Sequence, residues 1–169
     1  KVEFWKSLRD KINLQTGCKD EYCWLDLDFV EKMNDKYINN SFRPLKPKTW
    51  NNDRNTWLTT TEIDKVLEQY ENKHLDFKYI GAVPMDFDKE LGIGFCVVDE
   101  LCKLKLEKLY LKGIRKIGIV FNLDPHDKPG SHWVSMFVDM NNGGIYYFDS
   151  YAKPPSKEVR DLMERIRTQ

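Results

Sequence analysis

The feature that most restricts the fold is a tight turn between two strand-like runs near the end of the chain. His132 to Met140 and Ile145 to Phe148 are rich in β-branched and aromatic residues, and Asn141-Asn142-Gly143-Gly144 separates them. Asparagine and glycine tolerate the positive φ angles that short hairpin turns require. The sequence therefore predicts an antiparallel hairpin over this region.

Strands and helices are also predicted on the N-terminal and C-terminal sides of this hairpin. Lys116 to Leu123 is an apolar strand-like run, and Phe77 to Phe87 is predicted to be a short strand that runs into a turn. Helices are predicted over Lys157–Arg167, over Val98–Leu111, and after the capping sequence Thr59-Thr60-Thr61-Glu62. This order predicts the α+β class, with a small antiparallel sheet flanked by helices.

The first part of the chain has helical apolar spacing up to about residue 40. The residues that recur at this spacing are Phe4, Trp5, Leu8, Ile12, Leu25, Phe29, Val30, Met33 and Tyr37. The stretch from Asn39 to Asn55 contains two prolines and several asparagines, which is typical of a linker or surface loop.

The composition of the chain argues against a few classes of function. The chain has 27 basic and 27 acidic residues, so its formal net charge gives no general reason to expect a nucleic acid or an anionic membrane as the main partner. No apolar run approaches the roughly 20 residues that a membrane span needs, and the charged start has no signal-peptide core. The chain does not begin with Met, and we expect both ends to be cuts in a longer protein.

Four cysteines, Cys18, Cys23, Cys96 and Cys102, allow three disulfide pairings. Because nothing in the chain suggests secretion, reduced thiols in an intracellular compartment are the expectation. Their spacings do not match a zinc-binding pair, and no metal site is predicted. Asp124, His126 and Asp127 fit a solvated, proline-flanked turn better than a metal loop.

His132 and Asp149 lie at opposite ends of the predicted hairpin, one opening the first strand and the other closing the second. Counting outward from the turn places residue 152 or 153 opposite His132, so Asp149 is within reach if the hairpin is bulged or the histidine side chain leans. A carboxylate beside an imidazole fixes its tautomer and favours its protonated form. Such a pair could orient a histidine for a nucleophile, or it could be a half-buried surface histidine beside a turn aspartate.

Longer motifs surround this pair. Gly130-Ser131-His132-Trp133 opens a strand that ends in Val138-Asp139, and Ile145-Tyr146-Tyr147-Phe148-Asp149-Ser150 follows. These motifs resemble the SUMO-protease/adenain superfamily of papain-like cysteine proteases. Trp57-Leu58 with the helix after it is similar to the element that starts the protease core of this family. Pro84-Met85-Asp86-Phe87 and Met163-Glu164-Arg165-Ile166 are most similar to the large-DNA-virus branch, which processes polyproteins.

The resemblance implies a papain-like, adenain-like fold with residues 1–48 as an N-terminal helical arm and residues 49–169 as the first part of the protease core. It implies that His132 is the general base and that Asp149 orients it. Trp133, and with it Trp57, would line a narrow channel that admits a Gly-Gly or Gly-small segment of a polypeptide substrate. No cofactor is implied.

The chain departs from the family pattern after Asp149. The family places an oxyanion-forming Gln and then the nucleophilic Cys after the aspartate, whereas no Cys follows Asp149 and Gln169 is the one later Gln. The expectation is therefore a fold that is incomplete at the C-terminus, with both residues beyond residue 169. The chain alone would not cleave a peptide.

Several alternatives remain open at this stage. The parent protein could be an inactive pseudo-protease that binds a ubiquitin-like tail or a capsid protein, or an acyltransferase of the same fold. Cys23-Trp24 is similar to the nucleophile motif of papain itself, although the rest of that motif is absent. A basic run makes nucleic acid a candidate partner, but it also fits the wet face of a helix; it comprises Lys103, Lys105, Lys108, Lys112, Arg115 and Lys116. Host cytoplasm and virion are the expected locations.

Overall fold

The computed structural model describes residues 2–18, 21–24, 27–33, 44–53 and 55–169. The chain divides into two compact units, Lys1–Arg43 and Pro44–Gln169. Leu25, Tyr37 and the beginning of the predicted linker, residues 39–43, lie outside the described residues.

The first unit is helical where it is described, as the apolar spacing predicts. Helix α1 spans Val2–Thr16, α2 spans Glu21–Trp24 and α3 spans Asp28–Met33. Cys18 and Cys23 form a disulfide with their Cα atoms 5.7 Å apart. This disulfide contradicts the expectation of reduced thiols for this pair.

The second unit contains four helices and six strands in its described part, after a 3-10 helix at Lys48–Asn51. In chain order these are α4 (Thr60–Lys73), β1 (Phe77–Pro84), β2 (Glu90–Gly92), β3 (Phe95–Cys96), α5 (Asp99–Cys102), α6 (Leu106–Leu111), β4 (Lys116–Asn122), β5 (Trp133–Asp139), β6 (Gly144–Phe148) and α7 (Lys157–Arg167). These elements confirm the predicted α+β class.

The main sheet has four strands in the order β1-β4-β5-β6. The β4–β5 and β5–β6 pairs are antiparallel, as predicted, but β1 pairs with β4 in parallel. The sheet is therefore mixed, because residues 85–115 form a long crossover that returns the chain to the same end of the sheet.

One face of the sheet supplies the core of this unit. Ile117, Ile119 and Phe121 of β4 alternate with less buried residues, and Val134 and Met136 of β5 do the same. This period of two is expected of strands with one buried face. Helix α7 adds its apolar stripe of Val159, Leu162 and Ile166 to the same cluster.

Two local sequence predictions have different outcomes. The capping box of α4 is confirmed, because the Thr59 side chain accepts the backbone N–H of Glu62 and the Glu62 side chain accepts that of Thr59. The single helix predicted over Val98–Leu111 is wrong, because the chain leaves helical geometry at Lys103 and α5 and α6 are separate. Leu104, between them, is buried in the core.

A second disulfide joins Cys96, at the end of β3, to Cys102, at the end of α5, with Cα atoms 6.4 Å apart. The expectation of reduced thiols is therefore wrong here too. One turn of helix carries the chain back past the end of the β2–β3 hairpin, and this brings the two cysteines within bonding distance.

Candidate active site

The β5–β6 hairpin positions the two residues that the sequence singled out. Ser135 pairs with Phe148 and Asp139 pairs with Gly144. Continuing this register three residues beyond Ser135 brings Tyr151 opposite His132, one or two positions from the sequence-based count. His132 lies just before β5, and its backbone carbonyl accepts the N–H of Leu123.

His132 and Asp149 are in direct contact, as predicted. Nε2 of His132 lies 2.7 Å from Oδ1 of Asp149, and the two side chains are 14% and 2% exposed. The hydrogen bond from His132, helped by the backbone N–H of Tyr151, holds the pKa of the Asp149 carboxyl below its ordinary value. The ionised carboxylate is an acceptor, so Nε2 donates to it, and in the neutral imidazole the lone pair is then on Nδ1.

A turn after β6 orients the Asp149 carboxylate toward His132. The backbone N–H of Tyr151 donates to Oδ1 of Asp149 at 2.8 Å, and the N–H of Ala152 donates to the Asp149 carbonyl at 2.9 Å. This Asx-type turn lets Asp149 reach back to His132 without a bulge in the strand. The sequence analysis offered two ways for Asp149 to reach His132, a bulge in the hairpin or a leaning histidine side chain. The structure uses neither of these, because the turn after β6 brings the carboxylate to the imidazole.

Trp133 is fixed beside this pair. Its ring is half-buried, and Nε1 donates to the backbone carbonyl of Leu58 at 3.0 Å. Leu58 directly follows Trp57, whose side chain is 68% exposed. The hydrogen bond thus joins the start of β5 to the segment that carries Trp57, the second predicted channel residue.

Sequence reasoning missed Tyr151, which packs on the pair. Its ring stacks on the His132 ring with the centroids 4.3 Å apart and the planes 15° from parallel. Counting outward from the hairpin turn came within one or two residues of Tyr151. Identifying Tyr151 itself would have required the centre of the turn to within one residue.

A second histidine–aspartate pair joins His126, in the loop after β4, to Asp86, just after β1. Nδ1 of His126 lies 2.6 Å from Oδ2 of Asp86, and the His126 backbone N–H donates to the other carboxylate oxygen at 2.8 Å. Asp124 accepts a hydrogen bond from Ser131. Within the ranges that the structure covers, no group of three or more His, Cys, Asp or Glu side chains could hold a metal ion.

The described residues do not supply the nucleophile or the oxyanion donor. All four cysteines are described, and each is in a disulfide, including Cys23 of the papain-like motif. The Gln169 side chain accepts the backbone N–H of Leu106 and donates to the Leu104 carbonyl, which ties the end of α7 to α6.

Three of the six residues in the basic run make local contacts. Lys103 pairs with Asp99 at 2.6 Å, Lys116 pairs with Asp76 at 2.9 Å, and Arg115 stacks on Tyr110. These local contacts favour the solvated helix face over a nucleic-acid patch. Among the described helices, none is both long and apolar enough to cross a bilayer.

Comparison with known protein families identifies the part of the chain that contains His132 and Asp149. Residues 107–168 match the model of the Ulp1 protease family, C-terminal catalytic domain. A thiol protease of Acanthamoeba polyphaga mimivirus is 37% identical over 95% of this chain and 51% of its own length. A cysteine protease of African swine fever virus is 34% identical over 66% of this chain and 44% of its own length. The chain thus spans about half the length of these relatives.

The fold agrees with this assignment. The crystal structure of the African swine fever virus protease superimposes with a TM-score of 0.52 at 24% identity, covering 95% of this chain and 65% of that one. At this identity the superposition supports the fold, and the sequence matches carry the relationship. Residues 107–168 therefore match the Ulp1 protease family, and the chain is similar to thiol and cysteine proteases of large DNA viruses.

Proposed function

We propose that the protein containing this chain is a cysteine endopeptidase that cuts after Gly-Gly or Gly-small segments. His132 is its general base, and Asp149 orients the imidazole. The observation that carries the proposal is the buried 2.7 Å contact between Nε2 and Oδ1, which leaves the lone pair of Nδ1 for a thiol. The thiol and the oxyanion-forming Gln lie outside residues 1–169 in this proposal, in a segment that corresponds to the unmatched part of the relatives.

The proposed reaction is acyl transfer through a thioester. Nδ1 of His132 takes the thiol proton, and the sulfur attacks the carbonyl carbon of the glycine that precedes the scissile bond. The imidazolium then gives that proton to the leaving amine. A water molecule, deprotonated by the same nitrogen, releases the acid and restores the thiol. The charge of Asp149 stabilises the imidazolium that forms in each half of the reaction.

Trp133 and Trp57 are the proposed substrate-binding residues. A ring that is held by a hydrogen bond to the chain next to an exposed tryptophan can form a fixed wall. Two such walls would accept an extended backbone without side chains, which is a property of glycine. The substrate would be a viral structural polyprotein, or a SUMO-like protein, since some of the viral relatives are named as SUMO-1 cysteine proteases. Host cytoplasm and virion are the proposed locations.

A cleavage assay on the full-length protein tests this proposal. A peptide containing Gly-Gly-X should be cut after the second glycine, and His132→Ala should lower kcat/KM by at least about a thousandfold. His126→Ala is the matched control, because it removes the other histidine that pairs with an aspartate. Cleavage that survives His132→Ala would refute the assignment.

Two further outcomes would favour the alternatives. A full-length protein that has no cysteine after Asp149 but still binds a Gly-Gly peptide would be a pseudo-protease. Transfer of an acetyl group from acetyl-coenzyme A, without peptide cleavage, would indicate the acyltransferase.

A further inference from the structure

Tyr151 is an aromatic residue on the surface of the protein, outside the hydrophobic core. Its side chain is 66% exposed, and the ring nevertheless lies flat on the His132 imidazole at a centroid distance of 4.3 Å. Aromatic pairs this close gain a contact energy beyond the area they bury. The position of the ring is therefore best understood through the residue it covers.

The backbone holds Tyr151 in this position independently of the stacking. It lies in the turn that follows β6, and its N–H donates to Oδ1 of Asp149. That oxygen is the same one that contacts Nε2 of His132. Ala152, the next residue, has a φ of +53°, so the turn is closed in a conformation that L-residues rarely adopt.

We propose that Tyr151 is a positioning residue for the His132–Asp149 pair. Its ring fixes the plane of the imidazole, and it shields the hydrogen bond between Nε2 and Oδ1 from water. The consequence for catalysis rests on the proposed protease function, but the effect on the imidazole does not.

A contact with Lys153 is the competing explanation for the ring. The Lys153 ammonium lies 5.9 Å from the Tyr151 centroid, which is near the limit of about 6 Å for a useful cation–π contact. The stack on His132 is much closer. Lys153→Ala separates the two explanations, because it should leave the imidazole unchanged.

The test is an NMR measurement on the ¹⁵N-labelled full-length protein. Correlations from ring nitrogens to carbon-bound protons identify the tautomer, and magnetisation exchange with water gives the exchange rate of the Nε2 proton. Wild type and Tyr151→Phe should show one tautomer with the proton on Nε2. Tyr151→Ala should raise the exchange rate by about two- to tenfold, the range expected from one aromatic stacking contact, and should populate the other tautomer.

Two variants make the result specific. Tyr151→Leu keeps an apolar cover without an aromatic face, so it should fall between Phe and Ala. Tyr110→Ala removes another half-exposed tyrosine, the one that stacks on Arg115, and should change nothing at His132. An unchanged rate and tautomer in Tyr151→Ala would overturn the proposal. If that variant does not fold, equal rates in the Phe and Leu variants would overturn the role of stacking.

A kinetic measurement on the full-length protein separates this inference from the proposed function. Tyr151→Ala should lower kcat by about two- to tenfold with little change in KM. Tyr151→Phe, which keeps the aromatic ring, should have the kcat of the wild type. An NMR effect in a protein that does not cleave peptides would support the positioning role and contradict the protease.

Discussion

Asp149 contacts the ring of His132, although the two residues are not opposite each other in the hairpin. Extending the β5–β6 register by one residue places Asp149 across from Val134, which is buried in the core. The strand ends at Phe148, and the turn closed by the N–H groups of Tyr151 and Ala152 redirects the carboxylate. The geometry of the pair therefore depends on this turn more than on the strand pairing.

The first prediction concerns the stability of this pair at different pH values. Because the pKa of Asp149 is lower in the folded chain, its ionised form stabilises the fold at pH values above the unfolded pKa of about 3.9. This contribution is lost as the pH falls through the lowered folded pKa. Asp149→Asn should therefore reduce the free energy of unfolding at pH 7, and the difference from wild type should shrink at pH 3.

Urea unfolding at both pH values measures this difference. Asp127→Asn, at an exposed position in the loop before His132, is the control and should have little effect at either pH. A difference that stays constant from pH 7 to pH 3 would contradict the role of the Asp149 charge.

The second prediction concerns β1, an edge strand of the sheet that is in contact with α4. Oδ1 of Asp64 in α4 accepts hydrogen bonds from the hydroxyl of Tyr79 at 2.8 Å and from the backbone N–H of Ala82 at 3.0 Å. Tyr79 is 5% exposed. Asp64→Ala would leave a buried hydroxyl without its acceptor, which costs about 1–3 kcal/mol.

Tyr79→Phe gives a matched comparison, because it removes the hydroxyl but keeps the bond to Ala82. It should cost less than Asp64→Ala, and the double variant should cost less than the sum of the two. Chemical unfolding measures all three. Additive losses would show that the two side chains act independently.

Regular elements with a clear period could be predicted from the sequence, and helix α7 is the best example. Pro154-Pro155 precede its start, Ser156 caps it, and Val159, Leu162 and Ile166 form one stripe. The predicted range and the observed range are the same. Capping and periodicity are local properties, so the residues concerned contain the information that is needed.

The parallel β1–β4 pairing could not be predicted in the same way. It depends on how residues 85–115 cross between the strands, and this stretch contains four short elements, β2, β3, α5 and α6. The Cys96–Cys102 disulfide joins two of these short elements, β3 and α5, and Cys18 lies outside any regular element, so periodicity could not predict either disulfide. Tyr151 was missed for a related reason, because a shift of one residue in the turn centre changes its partner.

The third prediction concerns the start of α4, which follows the segment that holds Trp57 and Leu58. Thr59 is the N-cap and Glu62 completes the capping box. Thr59→Ala should lower the free energy of unfolding by about 1 kcal/mol, and Thr59→Ser should recover most of it. Thr61→Ala, two residues later inside the helix, is the control for loss of a threonine. Equal effects at the two positions would mean that the cap contributes nothing.

The last prediction links a glycine to the position of His132. Gly130 has a φ of +97°, and a Cβ at this position would collide with the Asn122 side chain. That side chain is not free to move, because its oxygen accepts the N–H groups of Asp124 and Ser131 and so braces the loop before His132. Gly130→Ala should therefore cost more than backbone strain alone and should also displace the imidazole.

Gly143→Ala provides the comparison, because Gly143 has a φ of +69° and open space where a Cβ would be. It should cost about 1–2 kcal/mol, the strain of a left-handed alanine, and Gly130→Ala should exceed it by at least about 1 kcal/mol. Urea unfolding gives the two energies, and the His132 ring signals report the displacement. Because only the collision with Asn122 distinguishes the two sites in this argument, equal energies with unchanged ring signals would show that the Asn122 brace does not position His132.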